Sequence, residues 1–212
     1  MPCIYKKIKE KCNRSKNGSS LYQTNHLLSQ QSENTELLLK QCLEGSQRAQ
    51  LAIYNKYYKA MYNASLRIVK HTALAEDIMQ DSFLSAFTKL STFKGDVAFG
   101  AWLKRIVINN SIYHYRKNQK TGTVDLEDVM YRVEDDEVVA TDTSGYTELK
   151  AQKVMETMKN LKDNYRVSLT LHLIEGYDYD EICEIMDISY ANCRTTISRA
   201  KESLRKKLTV NV

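Results

Sequence analysis

The 212-residue chain has a single proline and only seven glycines. Strands of a sandwich or barrel need turn residues every few positions, so an all-β fold is excluded. No run approaches eighteen uncharged apolar residues, so no transmembrane helix and no membrane insertion are expected. The opening "MPCIYKKIKEKCNRSKNGSS" is basic but lacks an apolar stretch and a small-residue cleavage site, so it does not read as a secretory signal. The five cysteines, Cys3, Cys12, Cys42, Cys183 and Cys193, are scattered and form no CxxC pair. Neither a disulfide framework nor a zinc site is expected. Cys183 and Cys193 fall on apolar positions of helical patterns and read as small core residues in a reducing compartment. No convergent set of histidines and carboxylates suggests a metal, a cofactor or a catalytic site, so the chain is not expected to be an enzyme.

What is present is apolar and charged sequence interleaved at helical spacing. "TELLLKQCLEG" carries Leu37, Leu38 and Cys42 at that spacing, and Gly45-Ser46 interrupts it. Ser46 is placed to cap a second helix along Ala49, Ile53, Tyr57 and Met61. "HTALAEDIMQDSFLSAFTKLSTF" forms a third, with Ala75, Ile78, Phe83, Ala86, Phe87 and Leu90 on its apolar face. After a loop at Gly95, "FGAWLKRIVINNSIYHYRKNQK" forms a fourth. Periodicity is lost from Thr121 to about Glu148, apart from a short helical patch at Leu126–Tyr131. The last block predicts three or four helices. "DNYRVSLTLHLIEG" ends at Gly176 as a C-cap, and "SYANCRTTISRAKESLRKKL" starts from Ser189 as its N-cap.

Charge divides the chain in the same places. Residues 1–120 hold 19 Lys+Arg against 8 Asp+Glu, residues 121–148 hold 1 against 9, and residues 149–212 hold 11 against 9. Two basic blocks flank an acidic segment, a layout suited to two nucleic-acid-facing modules on a linker. The reading is all-α: a basic, poorly ordered arm over 1–34 with a helical patch at Leu27–Leu28, a helical domain over 35–120, an acidic linker over 121–148, and a helix-turn-helix domain over 149–212.

Three stretches carry function. In a helix-turn-helix, the start of the second helix enters the major groove, where base edges present donors and acceptors. Asn192, Arg194, Thr195, Thr196, Ser198 and Arg199 have that chemistry, with Lys201 beside them. Cys193, Ile197, Ala200 and Leu204 lie three to four apart and can bury against the preceding helix. In "AEDIMQDSFLSAF", Glu76, Asp77, Gln80 and Asp81 crowd one side of a helix that is otherwise apolar. The sign is wrong for DNA and right for the basic surface of another protein. In "GDVAFGAWLKRIVINN", Gly95 and Asp96 with Phe99 and Trp102 can form a small pocket, and Asn109 projects nearby. Such groups can read the edge of one unstacked base while Lys104, Arg105, Arg116, Lys117 and Lys120 hold its phosphates.

At this point the chain resembles the extracytoplasmic-function sigma factors of bacterial RNA polymerase. The resemblance covers roughly Glu36–Lys120 and Val154–Leu208. "AEDIMQDSFLSAF" is similar to the family's second-region helix. The resemblance implies that Asp77, Gln80, Asp81 and Phe83 bind core polymerase. "STFKGDVAFGAWLKRIVINNSIYHYRK" is similar to the loop and helix that open the minus-ten element. Gly95, Asp96, Phe99, Trp102, Leu103, Arg105, Ile106 and Asn109 fall on that motif. Tyr113 stands where the family usually has Asp, and it completes the implied minus-ten set with Lys104, Arg116 and Lys117. "LHLIEGYDYDEICEIMDISYANCRTTISRAK" is similar to the fourth region, which reads the minus-thirty-five element. Gly176, Glu181, Ile182, Arg194, Ser198, Arg199 and Ala200 fall on it. The implied partners are core RNA polymerase, promoter DNA and an anti-sigma factor, the implied compartment is the cytoplasm, and no cofactor or metal is implied. Two other classes stand open at this level: a stand-alone helix-turn-helix regulator, and a polymerase-binding adaptor that has lost promoter reading.

Overall fold

The structure, a computed structural model, describes residues 34–121 and 145–210. The expected basic arm, the helical patches at Leu27–Leu28 and Leu126–Tyr131, and Cys3 and Cys12 lie outside the described residues. The described residues form helices joined by short turns and loops, with no strand among them. They fall into two compact units, one within residues 1–50 and one of residues 51–212.

In the first unit, α1 covers residues 34–43. Gly45 ends it at φ +86. The amide of Ser46 donates to the carbonyl of Gln41 and that of Gly45 to Cys42, both at 3.0 Å, a Schellman closure that a side chain at Gly45 would strain. The Ser46 hydroxyl then accepts from the Ala49 amide at 3.4 Å and caps α2, Gln47–Val69.

The second unit begins within α2 and holds two helical groups. The first contains the rest of α2, then α3 (Thr72–Thr88), a 3-10 turn (Leu90–Thr92) and α4 (Phe99–Thr121). Ile53, Met61 and Leu66 of α2, Ile78, Phe83 and Ala86 of α3, and Leu103 and Val107 of α4 are buried. Each large aliphatic chain so buried contributes about 1.5–3 kcal/mol. A Cβ on Gly100 would lie 2.8 Å from the Tyr57 ring, so only glycine lets α4 start this close to α2. Buried hydroxyls are matched: Ser111 Oγ donates to Val107 O at 2.7 Å, and Ser65 and Ser111 lie 3.0 Å apart.

The second group contains α5 (Gly145–Lys159), α6 (Asp163–Leu169), a π-helical turn (Thr170–Ile174), α7 (Tyr179–Met186) and α8 (Tyr190–Val210). The sequence pattern predicts one helix up to Gly176. The structure splits it, because the amide of Glu175 reaches back to Thr170 O and that of Tyr177 to Leu171 O. Gly176, at φ +77, makes the exit. A reciprocal capping box starts α7: the Asp178 carboxylate accepts from the Glu181 amide, and Glu181 Oε2 accepts from the Asp178 amide, both at 2.9 Å. Asp187 turns the chain at φ 50, and Ser189 Oγ accepts from the Asn192 amide at 3.3 Å to cap α8. Cys193, Ile197, Ala200 and Leu204 are buried and pack in one core with Ile182 and Ile185 of α7, as the spacing predicts. Ile68, Ile108 and Ile112 of the first group belong to this same core.

Candidate polymerase and nucleic-acid interfaces

On α3 the acidic side is offered outward. Glu76, Asp77, Gln80 and Asp81 are all exposed. Gln80 Nε2 donates to Glu76 Oε1 at 3.3 Å, an i, i+4 link that stiffens the face. Phe83 is different. It is 3% exposed and packs on Tyr54 and Phe87. Its side chain anchors the helix from below and is not on the offered surface, contrary to the sequence expectation.

Gly95 and Asp96 are exposed in the loop before α4, and Gly95 adopts φ +73. Phe99 is 4% exposed. It meets Tyr57, Phe93 and Trp102 with ring centroids 5.6, 5.6 and 5.7 Å away. Phe99 therefore fixes the loop from inside and is not available to a base, again contrary to expectation. Asn109 and Tyr113 lie one turn apart on the exposed side of α4, and Tyr113 is 64% exposed. Lys117 follows on the same exposed side.

Other predicted minus-ten cations meet the second helical group. Lys104 Nζ lies 3.0 Å from Glu175 Oε2. The Arg105 guanidinium sits 6.0 Å from the centre of the Tyr177 ring, at the outer reach of a cation–π contact. Arg116 donates to the carbonyl of Ile185 at 3.1 Å. Arg116 also lines a cleft shared with Asn192 and Thr196, so one minus-ten candidate and two minus-thirty-five candidates face the same space.

On α8, Arg194, Thr195, Ser198 and Arg199 are exposed. Thr196 Oγ1 donates to Asn192 Oδ1 at 3.1 Å, and Thr195 Oγ1 to Ala191 O at 2.8 Å. Lys201 is half-buried, with Nζ 3.1 Å from His172 Nε2. Burial, with Cys183 adding to it, pushes the Cys193 thiol up to about 12. A thiol so protonated is an inert core group, as its place in the helical pattern predicts.

Four residues at the seam between the groups escape sequence reasoning. Arg166 is 3% exposed and donates to the carbonyls of Arg67 and Ile68, the latter at 3.1 Å. These are end carbonyls of α2 that lack intrahelical partners, so Arg166 acts as a C-terminal cap from 98 positions away. Glu175, with its side chain 1% exposed, pairs with Lys104 and with Arg67 Nη1, the latter at 3.7 Å. Burial pushes the Tyr177 phenol up to about 12, with Arg105 opposing and Glu175 and Glu181 adding. Tyr115 reaches about 12 by burial and the Asp163 charge, with Arg166 opposing. The signal that could have found the first two, and Arg67 beside them, is charge inside an apolar helical run; the two tyrosines give no such signal.

Among the described residues no group of His, Cys, Asp and Glu could hold a metal ion, and no helix is long and apolar enough to cross a membrane.

Comparison with known proteins shows which families the two helical groups match. The Sigma-70 region 2 family model matches residues 53–121, which hold α3, the Gly95 loop and α4. The Sigma-70 region 4 model matches residues 151–204, which hold the helix-turn-helix. The chain is 30% identical over 177 residues to the ECF RNA polymerase sigma factor SigW of Bacillus subtilis, covering 80% of this chain and 94% of that one. It is 28% identical over 182 residues to the RNA polymerase sigma-H factor of Pseudomonas aeruginosa, covering 83% and 94%. Among solved structures it is similar to CnrH in complex with the cytosolic domain of CnrY, at 23% identity and a TM-score of 0.49, covering 84% of this chain and 99% of that one. With both sigma regions present in order, and a relative matched over nearly its whole length, the chain belongs to the extracytoplasmic-function sigma factors of bacterial RNA polymerase.

Proposed function

We propose a division of labour within this sigma factor, which directs promoter-specific initiation by RNA polymerase. Residues 35–120 bind core polymerase through the face of Asp77, Gln80 and Asp81. The same domain captures the minus-ten strand through the Gly95–Asp96 loop, Asn109, Tyr113 and the cations Lys104, Arg105, Arg116 and Lys117. Residues 149–212 bind the minus-thirty-five duplex through Asn192, Arg194, Thr195, Thr196, Ser198, Arg199 and Lys201. Phe83 and Phe99 hold these surfaces in place without touching a partner. The acidic linker, expected over 121–148 and bounded by the end of α4 at Thr121 and the start of α5 at Gly145, follows a basic channel of the polymerase. The chemistry of RNA synthesis belongs to the polymerase, so this chain acts in the cytoplasm without catalytic activity of its own. An anti-sigma factor is the regulatory partner we extend to it from the family.

The carrying observation is α8. Its apolar residues Cys193, Ile197, Ala200 and Leu204 are buried, while Arg194, Thr195, Ser198 and Arg199 are exposed together on the opposite side. A recognition helix needs that separation.

Run-off transcription on fragmented genomic DNA, with core polymerase and with or without this chain, tests the proposal. New discrete start sites are expected, and the DNA upstream of them yields both promoter elements. Polymerase binding without new starts would favour the adaptor. Absence of both would favour the stand-alone regulator.

A further inference from the structure

The seam between the helical groups takes up three cations that face DNA in the proposed function: Lys104, Arg105 and Arg116. Glu175 is the only one of their counterparts that carries a negative charge. Its carboxylate sits between Lys104 on one side and Arg67 on the other. Both its oxygens are buried, and neither accepts a hydrogen bond of good geometry. The Nε of Arg67 is likewise buried without a partner. The carboxylate is thus held by charge, with both of its oxygens and the Arg67 Nε left short of well-aligned hydrogen bonds. Such a buried pair gives up hydration and recovers little of it, so a better acceptor can displace the carboxylate. Lys104 is 39% exposed, which opens the trio to solvent along one edge.

A phosphodiester carries the same single negative charge and more acceptor sites, and guanidinium and ammonium groups are its usual ligands. Lys104 lies on α4 between the Gly95 loop and Asn109, where a captured strand would run. We infer that Arg67 and Lys104 form a phosphate-binding site for the promoter strand, and that Glu175 occupies it in the free chain and holds the two groups closed. The inference rests on the promoter-strand role proposed above for α4. It adds Arg67 to the DNA-facing set and makes Glu175 a competitor of DNA. Free protein therefore binds single strands poorly until region 4 is drawn away.

The test uses the full-length chain without polymerase. The probe is a fluorescein-labelled (dT)12 single strand, which presents phosphates with one uniform base. Fluorescence anisotropy gives its affinity, and small-angle scattering gives the radius of gyration of the protein. Glu175→Gln keeps the side chain's shape and removes its charge. It should bind the strand about tenfold more tightly than the natural chain, because the competent form is no longer a minor fraction. Its radius of gyration should rise. Adding Lys104→Gln to Glu175→Gln should remove most of the gain and lower the salt slope of binding by about one. Circular dichroism checks folding. If Glu175→Gln does not fold, Glu175→Asp, which shortens the reach to both cations, takes its place with a smaller gain expected. Equal affinity in the natural chain and the Glu175 variant would overturn the inference. So would a gain that persists in the double variant, since other cations would then hold the strand. Run-off transcription by the natural chain reports on the sigma function separately. Its failure alongside an intact Glu175 effect would remove the promoter as the source of the phosphate and leave the site.

Discussion

On α4, Lys104, Arg105 and Arg116 are each met by a group from the other half of the unit: the Glu175 carboxylate, the Tyr177 ring and the Ile185 carbonyl. On α8, Arg194 and Arg199 stand exposed, with no ion pair or hydrogen bond to another described residue. The two helices carry the same kinds of side chain for the same kind of partner. The difference lies in their surroundings. α4 runs beside the seam, where its cations answer buried acceptors. α8 turns its polar side away from the core it shares with α7. A basic helix is therefore not by itself an available one, and the covered helix should be sensitive to changes in stability where the bare one is not.

The largest effect is expected where the cover is anchored. Arg166 supplies the donors for the last carbonyls of α2. Arg166→Met keeps much of the apolar stem and removes those donors. Each buried carbonyl left without a donor costs about 1–3 kcal/mol, so folding stability should fall by about 3 kcal/mol. Urea denaturation would read this as a lower midpoint. A loss under about 1 kcal/mol would mean that water caps α2 as well as Arg166 does, and that the covering of α4 is not anchored there.

The bare helix should behave the other way. Arg194→Ala and Arg199→Ala should each weaken promoter use by about 1–3 kcal/mol if they reach base edges. Neither should move folding stability by more than about 0.5 kcal/mol, because neither is held by another described residue. Transcript yield from a fixed promoter and thermal melting of the free protein separate the two readouts. Unchanged transcription in both variants would take α8 out of the account. A marked loss of melting temperature would erase the contrast with α4.

The contrast was only half legible in the amino-acid sequence. Apolar repeats marked the buried sides of α3 and α8, and local chemistry marked the turns. Gly45, Ser46, Gly176 and Ser189 all stand where the chain ends or starts a helix. Those signals act within four or five residues. The seam does not. Arg166 and the carbonyl of Ile68 are 98 positions apart, and no local rule joins them. Exposure within a motif is equally invisible to spacing. Phe83 and Phe99 both sit on motif positions, yet both point into aromatic clusters, because a large ring next to a close helix crossing gains more from burial than from solvent. The π-helical turn at Thr170–Ile174 leaves no trace in the apolar pattern. It sets Glu175 one step off the helical register, at the place where Lys104 meets it.

The smallest effect comes from pH and tests whether the cover closes on a neutral ring. The Tyr177 phenol is pushed up to about 12 from an ordinary 10.0 by burial, with Glu175 and Glu181 adding to the shift and Arg105 opposing it. The unfolded chain therefore loses this proton first as pH rises. Stability from Tyr177 is complete below pH 10 and is lost progressively as pH climbs toward 12. Two units would amount to about 2.7 kcal/mol for a fully enclosed group, and partial access of solvent reduces this to between about 1 and 2 kcal/mol. Other tyrosines and lysines titrate in the same window, so the comparison is with Tyr177→Phe, which keeps the ring over Arg105 and has no proton to lose. Guanidinium midpoints between pH 9 and 11.5, about the reach of two-state measurement, should fall more steeply for the natural chain than for the variant. Parallel curves would place the phenol in water, and with it the edge of α4 that Tyr177 is said to cover.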